Sequence, residues 1–564
     1  MPNIVFVLLR RLHSPLIVLI LVYAVSILGF TLIPGMDDQG RPWRMDFFHA
    51  FYFVSFMGTT IGFGEIPYPF TDAQRLWASI SIYATVVAWL YGIGSLLSAL
   101  QDPGFRRLLT EQAFRRAVRR IRDPFYLVCG YGDTGSMLVR ALTEAGFNAV
   151  VVEKRQERVD ALELADLRSH VPALCADAAE PDTLCKAGLK NPRCIGVVAL
   201  TNVDAVNLQV AITSNLVNPH LTTIARAETR EMEANIASFG ANHIINPFDT
   251  FAGRLALALH SPGTYLLYEW MTAVPGEALL EPLYPPHGKW ILCGYGRFGK
   301  AVYERLRQEN IEVSVIEARP EAAGAPPGTV KGMGTEAETL RLAGIDEAVG
   351  IVAGTDDDAN NLSILMTARD LNPKLFRVAR QNSRSNDAIF RAADLDLIMR
   401  RGSIIAHKIF ALIQTPLLET FLRLARQHDN DWANRLNSRI YGVVEDRAPA
   451  TWEVDITAGD SPALYARARC QGDLRLGDVC RDPRDRDRSL PCIPLLCERG
   501  AEDILLPGAD FPLQSGDRLL FCGHPHARWM MEWVRGNDNV LNHVITGEEH
   551  PTGYLWRRFS RRSA

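Results

Sequence analysis

The stretch TTIGFGEIPY (residues 59–68) carries two threonines, glycines alternating with apolar residues, and a carboxylate. It is too short and too rich in glycine to make a helix or a stable strand alone. The run before it, DFFHAFYFVSFM (residues 46–57), is apolar and aromatic but too short to cross a bilayer, so it reads as a buried or re-entrant helix. Uncharged runs at residues 16–33 and 76–100 lie on either side, each long enough to cross a hydrocarbon core of about 30 Å. Non-helical backbone at membrane depth persists only where protein covers it or where it lines a water-filled path. Residues 59–65 are therefore expected to line a path, with successive carbonyls turned into it.

Charge sets the orientation. Arg10 and Arg11 precede the first run, and Arg106, Arg107, Arg115, Arg116, Arg119, Arg120 and Arg122 follow the second. The positive-inside rule puts both flanks in the cytoplasm and residues 34–75 on the far side. A cleaved signal peptide is the rival reading of the first run, but the run is long for one and no small-x-small cleavage site follows. With 22% charged and 48% hydrophobic residues among 564, most of the chain is not embedded in membrane. A net charge of -4 is too small to imply a nucleic-acid surface. The ten cysteines form no C-x-x-C pair, which argues against zinc and fits reduced cytoplasmic thiols.

Thr60-Ile61-Gly62-Phe63-Gly64 resembles the T-V-G-Y-G filter of potassium channels, with Ile for Val and Phe for Tyr. The resemblance implies that K+ binds the carbonyls of Thr60, Ile61, Gly62 and Phe63, which replace its hydration shell. It also implies that the aromatic ring braces the filter from behind, with Ser55 and Thr59 on the pore-helix side and Glu65 where the family has Asp. Four copies of the chain would close one ring. In the second span, Gly92 and Gly94 are glycines in a helix, each costing about 1 kcal/mol relative to alanine. The resemblance suggests Gly92 as a gating hinge; close helix packing against small residues is the other reading.

A repeat organises the rest. Phe125 to Gly135 (FYLVCGYGDTG) and Trp290 to Gly299 (WILCGYGRFG) each run from an apolar strand into G-x-G-x-x-G and a helix-compatible segment. In each copy the next apolar strand ends in glutamate, Glu153 or Glu317, 23 residues beyond Gly130 or Gly294. Strand, glycines, helix and acid in this order, twice, mark a dinucleotide-binding unit. Gly130 and Gly132 permit a tight turn and close approach of a pyrophosphate, Gly135 lets the helix pack on the strand, and the helix N-terminus faces the phosphates. Glu153 would accept from ribose hydroxyls. The match continues through Thr201 and Thr355 to Arg226 and Arg380, both suited to phosphate contact.

Each unit resembles the RCK (regulator of potassium conductance) domain, also found in Trk-type transport regulators. The expected nucleotide set in the first copy is Gly130, Tyr131, Gly132, Asp133, Thr134, Gly135, Glu153, Lys154, Asp177, Ala178, Thr201 and Arg226. In the second it is Gly294, Gly296, Arg297, Phe298, Gly299, Glu317, Gly334, Thr335, Thr355 and Arg380. The first copy keeps Ala176-Asp177-Ala178 near the family's G-D-A-T; the second has Gly332-Met333-Gly334-Thr335 and places Arg297 and Phe298 inside its glycine loop. The first is therefore expected to bind, the second to bind or to serve as an empty scaffold. A calcium site used by some related channels would need acids where this chain has Ala199 and Arg226, with only Glu228 acidic, and is expected to be absent.

The fold class expected is a membrane α-helical pore domain (helix, pore helix, filter, helix) fused to two α/β Rossmann-like RCK domains with α+β C-terminal subdomains. The boundaries are 1–101 for the pore, 102–123 for a basic linker, 124–285 for the first RCK domain, 286–445 for the second Rossmann lobe and its helices, and 446–564 for the C-terminal subdomain and tail. Residues 448–534 read as short strands with turns, and residues 513–522 as a terminal strand pair. The function implied is a potassium-selective channel and not an enzyme: a homotetramer in the lipid of the cell inner membrane, both termini cytoplasmic, gated by NAD, ADP or ATP at an octameric RCK ring. A membrane-anchored NAD-dependent oxidoreductase would suit two Rossmann units, but no acid/base pair or substrate domain is visible and the filter stays unexplained. A regulatory subunit of a Trk-type transporter is the other alternative; its soluble relatives lack the filter.

Overall fold

A computed structural model describes residues 4–279, 281–470 and 473–548; the tail expected at 549–564 lies outside these. The chain divides into two compact units, residues 1–120 and 121–564.

In the first unit, helices Ile4–Leu32 and Asp72–Gln101 flank a 12-residue helix, Phe47–Gly58. Both long helices contain stretches apolar and long enough to cross a membrane, Leu12–Leu32 and Asp72–Ser98. Local chemistry sets where the helices begin. The Asp46 carboxylate accepts from the His49 N–H at 2.8 Å, and Thr71 with Gln74 forms a capping box at the start of the second long helix. Phe30, Phe53 and Phe70 pack at ring separations of 4.8–5.8 Å into a small aromatic core. The long helices meet closely at Gly29, where an added Cβ would stand 2.0 Å from the Trp77 indole. Most of their remaining apolar surface is exposed, including Leu76, Ile80, Tyr83, Val87 and Leu90, more than a water-soluble protein leaves uncovered. The basic linker is a helix, Pro103–Arg120.

The second unit holds two six-stranded parallel sheets. In the first the order along the sheet is Ala173–Cys175, Asn148–Glu153, Phe125–Cys129, Cys194–Ala199, Thr222–Arg226, His243–Ile245. The second repeats that order from Val330–Lys331 through Lys289–Cys293 to Leu397–Arg400. The order 3-2-1-4-5-6 is that of the Rossmann fold, and each glycine loop leaves its first strand at the switch point where ligands bind. The central strands run almost wholly apolar because helices cover both faces; every residue of Phe125–Cys129 is buried.

The lobes exchange helices. Helix Pro247–His260 leaves the first lobe and buries Phe248, Phe251, Leu255 and Leu259 in the core of the second, against Trp290, Leu292 and Phe298. Helix Arg401–Gln414 returns the exchange, placing Ile405, Ile409 and Phe410 in the core of the first. Helices Pro262–Thr272, Leu417–Ala425 and Asn430–Val444 share a third core with the C-terminal sheet. That sheet is antiparallel, ordered Ala450–Asp455, Arg518–Gly523, Cys492–Arg499, Glu502–Leu505.

Two expectations change here. Residues 513–522 supply one strand and not a pair, because the buried Asp517 carboxylate accepts from the Gln514 N–H at 2.8 Å and from Arg499, which fixes 514–517 as a turn. The segment 448–534 is also not all strand: Pro462–Cys470 and Pro525–Gly536 are helices, the latter burying Met530, Met531 and Val534 under the sheet.

The exchange predicts a stability effect across the repeat. Ile409→Ala removes a fully buried side chain of the second copy from the core of the first and should cost about 2–5 kcal/mol. Denaturant unfolding of residues 121–548 measures this, and residues 124–285 alone, stripped of Ile405, Ile409 and Phe410, should aggregate.

Candidate functional site

The membrane-depth stretch begins where helix Phe47–Gly58 ends. Thr59 caps it, its N–H and Oγ1 both donating to the Ser55 carbonyl at 3.1 and 2.8 Å. The backbone then alternates: Thr60, Gly62 and Gly64 have φ of +62°, +66° and +97°, while Ile61 and Phe63 between them are not in the positive-φ region. This alternation is what lets successive carbonyls turn to one side. Thr60 is β-branched, so holding it left-handed stores about 1–3 kcal/mol of strain. Phe63 stands edge-on to Phe56 of the short helix at 5.5 Å, a brace from behind. Ile61 and Phe63 are otherwise exposed in the single chain.

The outer end is tied down by a contact the sequence reading missed. Glu65 accepts from Arg75 Nε at 2.9 Å, Arg75 Nη2 at 3.3 Å and the Phe70 N–H at 2.8 Å. One carboxylate thus fastens residue 65 to the first turn of the second long helix. Glu65 lies outside any helix or strand and Arg75 lies in the next helix, so no periodic pattern pointed to the contact. Gly92 and Gly94 lie in an uninterrupted helix with open space where a Cβ would be, so packing within one chain does not require glycine at either position.

In both Rossmann lobes the glycine loop is built alike. Gly130 and Gly294 have φ of +102° and +95°, and a Cβ on Gly135 or Gly299 would collide with the carbonyl oxygen of Gly130 or Gly294 at 2.1 or 2.0 Å. The two glutamates staple these loops. Glu153 accepts from the Tyr131 N–H (2.6 Å) and the Arg155 N–H (3.0 Å); Glu317 accepts from Tyr295 (2.7 Å) and Arg319 (3.0 Å) in the same way. Each carboxylate therefore holds the loop to the end of the second strand before any ligand is considered. A second repeated device went unread in the sequence. Asn207 accepts from the Thr201 N–H and Oγ1 and donates to the carbonyls of Thr201 and Arg226. Asn361 makes the same four bonds with Thr355 and Arg380. The signal was present: Thr and Asn six residues apart in both copies.

The two clefts differ. The first encloses about 190 Å³ and is lined by Gly132, Asp133, Thr134, Arg158, Asn202 and Arg226, with residues 381–384 and Gly402 of the second lobe across from them. Arg158 reaches over the loop, its Nη1 3.2 Å from where a Gly132 Cβ would be, and Gly402 lies against Asp133 and Thr134 at the helix N-terminus. Arg226 is buried, paired with Glu228 and donating to Asn202. Lys154 bonds Asp177 at 2.8 Å, and that contact, with the Ala179 N–H, holds the Asp177 carboxyl below the usual carboxylate range; Ala178 is buried beside it.

The second cleft encloses about 540 Å³. Gly294, Gly296, Glu317, Arg319, Met333, Thr355 and Arg380 line it, and no atom stands within 4 Å of a Gly296 Cβ. Its loop helix begins with Arg297 where the first copy has Asp133. Phe298 is buried behind the loop, Arg380 lies over its ring at 5.7 Å, and Gly334 (φ +73°) brings the chain against Cys293, with the Thr335 carbonyl accepting from Thr367. Arginines line both clefts, Arg158, Arg226, Arg384 and Arg400 in the first and Arg297, Arg319 and Arg380 in the second, and the second is the roomier.

Two helices long and apolar enough to cross a membrane, a left-handed backbone stretch between them, and paired dinucleotide folds make up the chain. Comparison with known proteins agrees: residues 17–102 match the ion channel family, and residues 126–247 and 290–401 match the TrkA-N domain. The chain joins one ion-channel domain to two TrkA-N domains, the build of a two-span channel with tandem RCK domains. It is 28% identical over 226 residues to an uncharacterized protein of Methanothermus fervidus (40% of this chain, 34% of that one). It is 24% identical over 203 residues to Potassium channel protein 1 of Methanocaldococcus jannaschii (36% and 59%). These matches span a third to three-fifths of the relatives' own lengths. Among solved structures, the GsuK channel bound to NAD aligns over 94% of this chain and 98% of its own, at 17% identity and a TM-score of 0.45.

The asparagine clamp is testable by itself. Asn361→Ala removes the acceptor of the Thr355 N–H and Oγ1 and a donor to the Arg380 carbonyl, and should cost about 1–3 kcal/mol. Thermal unfolding of residues 121–548 reports the loss, and Asn207→Ala should match it.

Proposed function

We propose that four copies of this chain form a potassium-selective pore in the cell inner membrane, both termini cytoplasmic, gated by an adenine nucleotide bound to the RCK lobes. The carrying observation is the alternating positive φ at Thr60, Gly62 and Gly64, placed between two membrane-length helices in a segment that matches an ion-channel family. A carbonyl ring of that kind selects a cation by replacing its water. A potassium channel protein among the relatives supports the same ion. An oxidoreductase or a transporter subunit leaves the stretch at residues 59–65 without a task.

The nucleotide is assigned first to the second cleft, although the sequence favoured the first. Glu317, Arg297 and Arg380 all line that cleft, and a nucleotide there would set its ribose against Glu317 and its phosphates against the two arginines. In the first cleft Gly402 packs against the start of the loop helix and the space is about 190 Å³ against about 540 Å³ in the second, so the second is the better fit for a nucleotide. One site per chain suffices for gating. A ligand with a tenfold preference for one state supplies about 1.4 kcal/mol per site, about 5.6 for four, against the ~5.5 needed to move a pore from 1:99 to 99:1.

Two outcomes are expected. Bi-ionic recordings should show potassium and rubidium permeating far better than sodium, and Gly62→Ala should abolish current because a left-handed φ strains alanine; reversal potentials near zero for sodium against potassium would reject the filter assignment. Gly296→Asp should remove the response of open probability to ADP, ATP or NAD while a selective pore remains, with Gly132→Asp having the smaller effect.

A further inference from the structure

The helix Arg297–Gln308 opens directly on the second glycine loop, and the first lobe holds it. Arg297 Nη1 is ion-paired with Glu228 Oε2, from the loop that follows the fifth strand of the first sheet. The other oxygen of Glu228 takes Arg226 Nη2, and the Glu228 N–H donates to Asp204 at 3.1 Å. Farther along the helix, Glu304 pairs with Arg230 and Arg305 pairs with Asp249 at 2.9 Å. Residues 228–249 of the first copy thus grip the phosphate end of the cleft in the second.

The two arginines on Glu228 are not equivalent. The side chain of Arg226 is 2% exposed and also bonded to Asn202, so it is fixed; that of Arg297 is 58% exposed and lines the cleft. A phosphate at the Gly294 loop offers the planar guanidinium of Arg297 a bidentate, charge-assisted partner at least as good as a carboxylate. Glu228 would keep Arg226 and stay compensated after Arg297 had left.

We propose that Glu228 acts as a built-in anion that occupies Arg297 until a ligand phosphate takes the arginine from it, so that filling the second cleft releases one of the ties between the lobes. This rests on the nucleotide reading of that cleft. The effective ligand is a nucleoside di- or triphosphate or a dinucleotide; a nucleoside without phosphate binds and leaves the tie closed. The tie lowers apparent affinity by the fraction of time Arg297 is engaged.

Calorimetry on the full chain with ADP and with adenosine tests this in wild type, Glu228→Gln, Arg297→Gln and the double variant. Glu228→Gln keeps an acceptor for Arg226 and should tighten ADP about tenfold while leaving adenosine unchanged, an arginine engaged about nine-tenths of the time. Arg297→Gln should weaken ADP, and the double variant should show no tightening. ADP binding to wild type with equal or weaker binding to Glu228→Gln overturns the competition and leaves the cleft assignment standing; absence of ADP binding in every variant overturns both. Hydrogen exchange on wild type gives a reading free of mutation: ADP should raise exchange in residues 227–239, and unchanged or slowed exchange there contradicts the release.

Discussion

Backbone that is neither helix nor strand cannot lie at membrane depth with its polar groups unpaired, and the membrane unit is arranged around that constraint. Beyond the Ile61 N–H, which donates to the Phe56 carbonyl at 2.9 Å, the stretch leaves the helical bonding pattern and turns left-handed at every second residue. Such backbone is tolerated where its carbonyls face water or ions and its flanks are held. The short helix holds it from below through Thr59, Phe56 braces Phe63, and the Glu65–Arg75 fork holds the outer end. The strain at Thr60 persists because all three supports act together.

The second unit solves a different problem. Two Rossmann lobes joined by a flexible link would move independently, and a ligand in one would do nothing to the other. Exchanging helices Pro247–His260 and Arg401–Gln414 puts each copy's residues into the other's core, and packed cores repack between discrete arrangements instead of deforming smoothly. The same exchange makes the clefts unequal. It carries Gly402 onto the N-terminus of the first loop helix, while the second keeps its cleft open and its loop helix tethered through Glu228 and Arg230. Duplication gave two similar units, and the exchange left their clefts different.

Much of this was legible in the residues. The glycine-alternating pentapeptide Thr60–Gly64 lies between two uncharged runs, and the glycine loops and terminal glutamates recur at equal spacing, because local backbone demands leave local signatures. What was not legible was set by contacts between distant residues. An amphipathic helix shows that it has an apolar face without showing whose core that face enters, so Ile409 and Phe410 gave no hint of the exchange. Asp177 and the Ala176–Ala178 match argued for the first cleft, yet Arg158 and Gly402 decide its size, and neither belongs to the glycine motif. Glu153 was read as a ribose acceptor and Glu317 as its counterpart in the second copy; their bonds to Tyr131 and Tyr295 show that they shape the loop. At residues 513–522 the family resemblance suggested two strands, where the Asp517 side chain closes a turn before one.

The claim that joins the two units is that a nucleotide in the RCK lobes governs cation passage through the stretch at residues 59–65. Radioactive rubidium uptake into liposomes holding the purified protein and a potassium-loaded interior measures it directly, with adenine nucleotide present or absent on the RCK side. Uptake that discriminates against sodium and changes in rate with nucleotide is the expected result. No uptake under either condition, or uptake indifferent to nucleotide, would contradict it.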